Sequence, residues 1–208
     1  MSFASDSVQT FLDQLASDQP VPGGGTVAAL SGSLGASLVA MVCRLTIGRK
    51  GYEAVHAEMQ TILGRAEKLQ IELRDLMQTD TDAYARVMDA YKLPKSTDAE
   101  KVARTQTIQD ALKHAVKVPM RVAELCAEVL VLARPVAEHG NKNAASDGGV
   151  GALMAHAGLR GALFNVLINL GSIHDATFVQ DHRARVDQLV VEAEQRQRDI
   201  LAIVESRF

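Results

Sequence analysis

An all-α fold, a helical bundle of long antiparallel helices, is what this sequence predicts, and three observations carry it. Apolar residues recur at spacings of three and four along most of the chain, with no stretch of the two-residue alternation that marks a strand. The positions Val55, Met59, Ile62, Ala66, Leu69, Leu73 and Leu76 form one such stripe, the inward seam of a long helix. Hydrophobic residues make up 47% of the chain but aromatic ones only 4%, with no Trp, so the core has to be packed through Ala, Leu and Val. At 208 residues the chain can bury a substantial core as one domain, 1–208.

Taken in order, Val8, Phe11, Leu12 and Leu15 follow a helical spacing behind Ser5 or Asp6, which predicts a short first helix. Pro20-Val21-Pro22-Gly23-Gly24-Gly25-Thr26 then bends the chain, and Thr26 is the expected N-cap of a helix from Val27 to the neighbourhood of Gly48. That helix has no charge before Arg44. Ala28, Gly32 and Ala36 fall four apart, giving a face that another helix can approach closely. The same row would suit a transmembrane interface, but so many Ser and Gly residues would insert weakly, so a buried core helix and no membrane are expected.

The seam of the next helix, if continued past Leu76, puts Asp80, Ala83, Tyr84, Val87 and Tyr91 on the inward face, with Asp82 outside. Asp80 is thus a carboxylate where the pattern wants an apolar residue. Burial raises a carboxyl pKa and makes an unpaired charge costly, so such a group has either a structural partner or a chemical task. Lys92-Leu93-Pro94-Lys95 breaks the helix, and Thr97 with Glu100 is a capping box for the next, whose inner face is Val102, Thr105, Ile108, Leu112 and Val116. Pro119 is expected to kink this helix or open a new one, and Pro135 with Gly140 to end the segment.

Beyond a polar loop from His139 to Asn143, Ser146 and Asp147 are expected N-caps of an apolar helix on which Asn165 and Asn169 stand one turn apart. Asp175 should cap a last helix with an inner face of Val186, Leu189, Ala193, Ile200 and Val204.

Several function classes drop out. A net charge of −3 gives no electrostatic footprint for nucleic acid. His139, His156 and His174 share no metal-ligand spacing, and Cys43 and Cys126 form neither a CxxC nor a Cys/His cluster, so no metal is expected; two thiols without a signal peptide fit the cytoplasm. The glycine loop is neither a Walker loop nor a dinucleotide fingerprint, though its amides could receive an anion or a carbonyl oxygen. Each remaining feature has an ordinary structural explanation: a sharp turn, asparagines tying helices together, a solvated helix end at Arg49-Lys50, or Asp80 in an ion pair.

Their order in one chain, however, resembles a known family. Pro-Gly-Gly-Gly-Thr before an uncharged helix, Gly48-Arg49-Lys50-Gly51-Tyr52 after it, Asp80-Thr81-Asp82-Ala83-Tyr84, Leu93-Pro94-Lys95, Ser146-Asp147 and Asn165-Val166-Leu167-Ile168-Asn169-Leu170 are similar to the cyclodeaminase/cyclohydrolase family of folate enzymes, over nearly the whole chain. The segment Asp147-Gly148-Gly149-Val150-Gly151 departs from it in being richer in glycine than a helix start. The resemblance implies an all-α homodimer acting on tetrahydrofolate derivatives without metal or cofactor. It places the proton-transferring aspartate on Asp80 and substrate contacts on Gly23, Gly24, Gly25, Thr26, Arg49, Lys50, Asn143, Ser146, Asp147, Asn165 and Asn169, with Arg49 and Lys50 toward the glutamate tail.

The expected reaction is hydrolysis of 5,10-methenyltetrahydrofolate to 10-formyltetrahydrofolate, because no formiminotransferase segment accompanies the motifs. Closure of formiminotetrahydrofolate with release of ammonia is the alternative. A non-catalytic folate-binding dimer, with Asp80 in a structural ion pair, is a third.

Overall fold

The computed structural model describes residues 3–208, and every regular element among them is helical. Six α-helices, α1 (Val8–Leu15), α2 (Gly24–Thr46), α3 (His56–Lys92), α4 (Asp98–His139), α5 (Ala145–Leu170) and α6 (Ala176–Glu205), are supplemented by short 3₁₀ turns at Phe3–Ser5, Glu53–Val55 and Lys142–Ala144.

The centre of the bundle is α2, which lies against α3, α4 and α5. Its small residues permit very close approach. A Cβ on Gly35 would stand 2.7 Å from the Gly151 carbonyl of α5, and one on Gly32 would stand 2.5 Å from the Cys126 sulfur of α4. On the opposite side of the α2–α5 seam, Gly158 would put a Cβ 2.7 Å from the Ala28 carbonyl. The row Ala28, Gly32, Ala36 is therefore spent inside the chain. Both α2 and the stretch Lys142–Leu170 are long and apolar enough to cross a membrane, but here they are core helices packed on each other. Two of the three glycines in residues 147–151 serve the same closeness, since Gly149 abuts Val204 and Gly151 abuts Gly35.

The seam of α3 holds as expected through Met59, Ile62, Ala66, Leu69 and Leu73, all buried. Beyond Asp80 it departs from expectation, because α2 ends at Gly24 and leaves α3 and α4 to continue as a two-helix arm. Ala83, Ala90, Ile108, Leu112 and Ala115 are buried there, while Tyr84, Tyr91, Val102 and Thr105 are exposed. Two helices alone can cover no more than the stripe between them.

Both prolines lie within α4 rather than ending it. Each removes a backbone bond and costs about 3 kcal/mol in an isolated helix, but α4 packs against α2, α3, α5 and α6, and that burial carries the helix through Pro119 and Pro135 to Gly140. The capping box at Thr97 and Glu100 is formed, as is the Asp175 cap of α6, whose five expected core residues are all buried. The first helix is capped by Ser7, not by Ser5 or Asp6, and it lies on the surface with Phe11 buried and Val8 and Leu12 exposed.

Candidate active site

Three helices converge on Asp80. The first turn of α2 approaches it so closely that a Cβ on Gly25 would overlap both carboxylate oxygens. The Thr26 hydroxyl donates to Oδ2 at 3.5 Å. On the other flank, Asn165 of α5 lies beside Gly24, where a Cβ would stand 3.8 Å from its Nδ2. Asn165 Nδ2 donates to the Gly161 carbonyl at 2.9 Å, and Asn169 Nδ2 to the Ala115 carbonyl of α4 at 3.0 Å. Asn169 is thereby a tie between two helices, while the Asn165 oxygen remains open.

This explains why the glycine run starts the helix earlier than expected. The cap of α2 is Gly23, which has no side chain to bond the first amides, and Thr26 is the third residue inside the helix rather than its N-cap. The carboxylate of Asp80, reaching across from α3, occupies the place of the missing cap at a positively polarised helix end.

Electrostatically the site is unusual in one respect. No cationic side chain among the described residues pairs with Asp80, so the structural ion pair required by a non-catalytic reading is not found there. Burial pushes the Asp80 carboxyl above its usual range, opposed by the Thr26 hydroxyl and backbone amide. Tyr84, one turn beyond Asp80 on α3, and Phe164 and Ile168, which flank Asn165 in sequence on α5, are exposed.

The other expected site residues form a second group, at the far end of α2. With 23 residues, α2 is about 34 Å long. Arg49 and Lys50 are exposed on the turn after it, between Gly48 and Gly51, both in the left-handed region that glycine favours. Asn143 and Ser146 are exposed and Asp147 is half-buried, all at the adjoining start of α5. Neither Ser146 nor Asp147 is the cap. The 3₁₀ turn Lys142–Ala144 runs straight into α5, so Ala144 takes the cap position and Asp147 lies in the first turn, where its charge complements the helix dipole.

Comparison with known proteins gives the assembly of motifs a family. A family model described as Formiminotransferase-cyclodeaminase matches residues 7–188. The chain belongs to that family. It is 47% identical over 189 residues to the methenyltetrahydrofolate cyclohydrolase of Methylorubrum extorquens, covering 91% of each chain. It is also 34% identical over 206 residues to the formimidoyltransferase-cyclodeaminase of Rattus norvegicus, of whose greater length it spans 38%. The crystal structure of formiminotetrahydrofolate cyclodeaminase from Thermotoga maritima superposes with a TM-score of 0.87 at 34% identity, covering 97% of each chain.

Within this cyclodeaminase-family frame, two residues outside the expected set hold the second group together. Asn141 is 3% exposed and bonds in three directions: its amide N–H donates to Thr46 Oγ1 at 2.9 Å, its Nδ2 donates to the Leu45 carbonyl, and its Oδ1 accepts from Asn143 N. The Tyr52 hydroxyl accepts from the Lys142 backbone N–H at 3.0 Å. These bonds fasten the Arg49-Lys50 turn to the start of α5. An asparagine two residues before another polar residue in a Gly-started loop is the sequence signature of such a turn, but its burial depends on α2 and α5 meeting.

Proposed function

We propose that this chain is a methenyltetrahydrofolate cyclohydrolase, converting 5,10-methenyltetrahydrofolate and water to 10-formyltetrahydrofolate. The observation that carries the chemistry is Asp80, a largely buried carboxylate with no cationic partner among the described residues, set against the first turn of α2. The substrate is an amidinium-like cation whose one carbon bridges N5 and N10. An anionic carboxylate both stabilises that cation and accepts a proton from the water that adds to the bridging carbon. As the carbinol collapses to the formyl group, the bond to N5 breaks, the same carboxyl returns its proton to N5, and the carbinol proton leaves to solvent. A carboxyl pKa above the usual range lies nearer to the working pH of both steps. Water and one carboxyl suffice for this sequence, so the reading includes no cofactor.

The active form is proposed to be a homodimer with each site shared between two chains. A monoglutamyl folate is too short to reach from Asp80 to Arg49 and Lys50 along one protomer. Exposed Leu34, Met41 and Leu45 on α2 and Val150, Leu153, Phe164 and Ile168 on α5 form a continuous apolar face, because the two helices touch at Gly35 and Gly151. A second copy placed on this face about a two-fold axis would lay its Arg49-Lys50 end beside the Asp80 end of the first. Buried free Cys43 and Cys126 suit a reducing cytoplasm.

The deciding experiment follows the loss of methenyltetrahydrofolate absorbance with protein present and, in parallel, ammonia release from formiminotetrahydrofolate. Hydrolysis without ammonia release is expected. Ammonia release at a comparable or greater rate would make the chain a cyclodeaminase, as the Thermotoga structure is described.

A further inference from the structure

We infer that Thr26 is a positioning residue for Asp80, and that it takes no part in holding substrate. The inference rests on the hydrolytic reading above, and it stands on geometry. Thr26 is 0% exposed, so no ligand can touch its side chain without unpacking α2. Its hydroxyl reaches Asp80 Oδ2 at 3.5 Å, and no other side chain bonds this carboxylate among the described residues.

Thr26 is the last of the first-turn residues whose amides lack an acceptor within α2, since the Val27 N–H is the first to find one, at the Gly23 carbonyl. Hydroxyl and amide thus approach Asp80 from one residue, and both favour the ionised carboxylate. With Oδ2 engaged inward, Oδ1 is the oxygen left to meet the attacking water. Gly25, one residue earlier, supplies the room that this approach needs. The expected role of Thr26 as a substrate ligand is replaced by one that acts through Asp80.

Among the described residues, no charged group competes for this carboxylate. The helix α2 has no titratable side chain before Cys43, and α5 offers the neutral amides of Asn165 and Asn169. Asp82 points outward toward Gln78, Arg86 of α3 and His114 of α4 meet each other at 3.5 Å in solvent, and Lys117 of α4 is exposed. Burial and Thr26 are what set its titration.

The test compares Thr26→Val, Thr26→Ala and Thr26→Ser with the parent protein by two readouts. Carbon NMR titration of the Asp80 carboxyl in the folded protein reports its pKa without reference to any reaction. The pH profile of kcat and the value of KM report the catalytic consequence. Removing one hydrogen bond to a charged group should raise the Asp80 pKa by about one unit in Thr26→Val or Thr26→Ala. The acid limb of kcat should move up with it, so that kcat measured on that limb falls about tenfold, KM should stay put, and Thr26→Ser should restore all of these. An Asp80 titration unmoved in a folded Thr26→Ala protein overturns the proposal, as does a raised KM with an unmoved acid limb. If the hydrolytic reading were itself wrong, the parent protein would show no turnover, while the NMR titration would still decide the role of Thr26.

Discussion

Gly25 and Asp80 are in such close contact that the glycine has no room for even a methyl group: a Cβ there would overlap both oxygens of the carboxylate. Because Gly25 is buried in the first turn of α2, that methyl has no alternative direction, and the flexible partner, Asp80, must move instead.

Gly25→Ala should therefore leave a folded bundle with a misplaced carboxylate. A general acid–base group is worth about 10²–10⁴-fold in rate, and a displaced one forfeits much of this, so kcat should fall by at least about 10²-fold. Steady-state kinetics with a thermal melt check it. Near-parental kcat would mean that the carboxylate is not positioned by this contact.

Asp80→Asn should cost about 10²–10⁴-fold in kcat while making the protein more stable at neutral pH. The sign follows from burial, which raises the folded-state pKa above 3.8. The folded protein then binds more protons than the unfolded chain, so stability falls as pH climbs from about that value through the raised pKa, and the penalty persists above it. Asparagine has no charge to bury. Its melting temperature should exceed the parent's at neutral pH, and the difference should vanish in acid below the unfolded pKa. Asp82→Asn, exposed on the outer face, should change neither property.

How much of this was legible in the sequence depends on how local each cause is. The α3 seam from Met59 to Leu73, the Thr97–Glu100 box and the α6 face are local patterns over neighbouring residues, and all are found in place. Asp80 stood out because it interrupts such a pattern. The errors have non-local causes. Thr26 looks like an N-cap because hydroxyls usually cap their own helix, whereas here the first turn of α2 is met by a carboxylate 54 residues away. Tyr84 and Tyr91 share the helical face of Ala83, and only the end of α2 at Gly24 leaves them uncovered. The separation of Arg49-Lys50 from Asp80 follows from the length of α2, which the sequence also displays, but motif order alone does not say which copies of a chain share a site.

Gly35→Ala should destabilise the bundle without touching the chemistry. Its Cβ would stand 2.7 Å from the Gly151 carbonyl and 3.0 Å from the Ala155 nitrogen, both backbone atoms within α5. Overpacking of this kind costs about 1–3 kcal/mol, which for a chain of this size lowers the melting temperature by about 2–4 °C per kcal/mol. Calorimetry should show that fall with kcat close to the parent's. An unchanged melting temperature would mean that α2 and α5 separate more readily than their packing implies.

The proposed shared-site homodimer makes a prediction that no single-chain site can satisfy. Arg49→Ala/Lys50→Ala removes two exposed cations from a turn distant from Asp80, so it should chiefly raise KM, least for substrates with the shortest glutamate tail, and with an effect that shrinks as salt screens exposed charge beyond roughly 10 Å at 0.1 M. Mixed dimers then separate the two arrangements. Pairing a chain carrying Asp80→Asn with one carrying Arg49→Ala/Lys50→Ala leaves, if sites are shared, one site with an intact Asp80 from the second chain and an intact basic turn from the first. That dimer should regain about half the parental kcat at parental KM. If each site were built from one chain, every active site in the mixture would lack the basic turn, and KM would remain at the double mutant's value. Differentially tagged chains, co-purified and assayed against both homodimers, give the answer, and a mixed dimer with the double mutant's KM would restrict Arg49 and Lys50 to a role outside the Asp80 site.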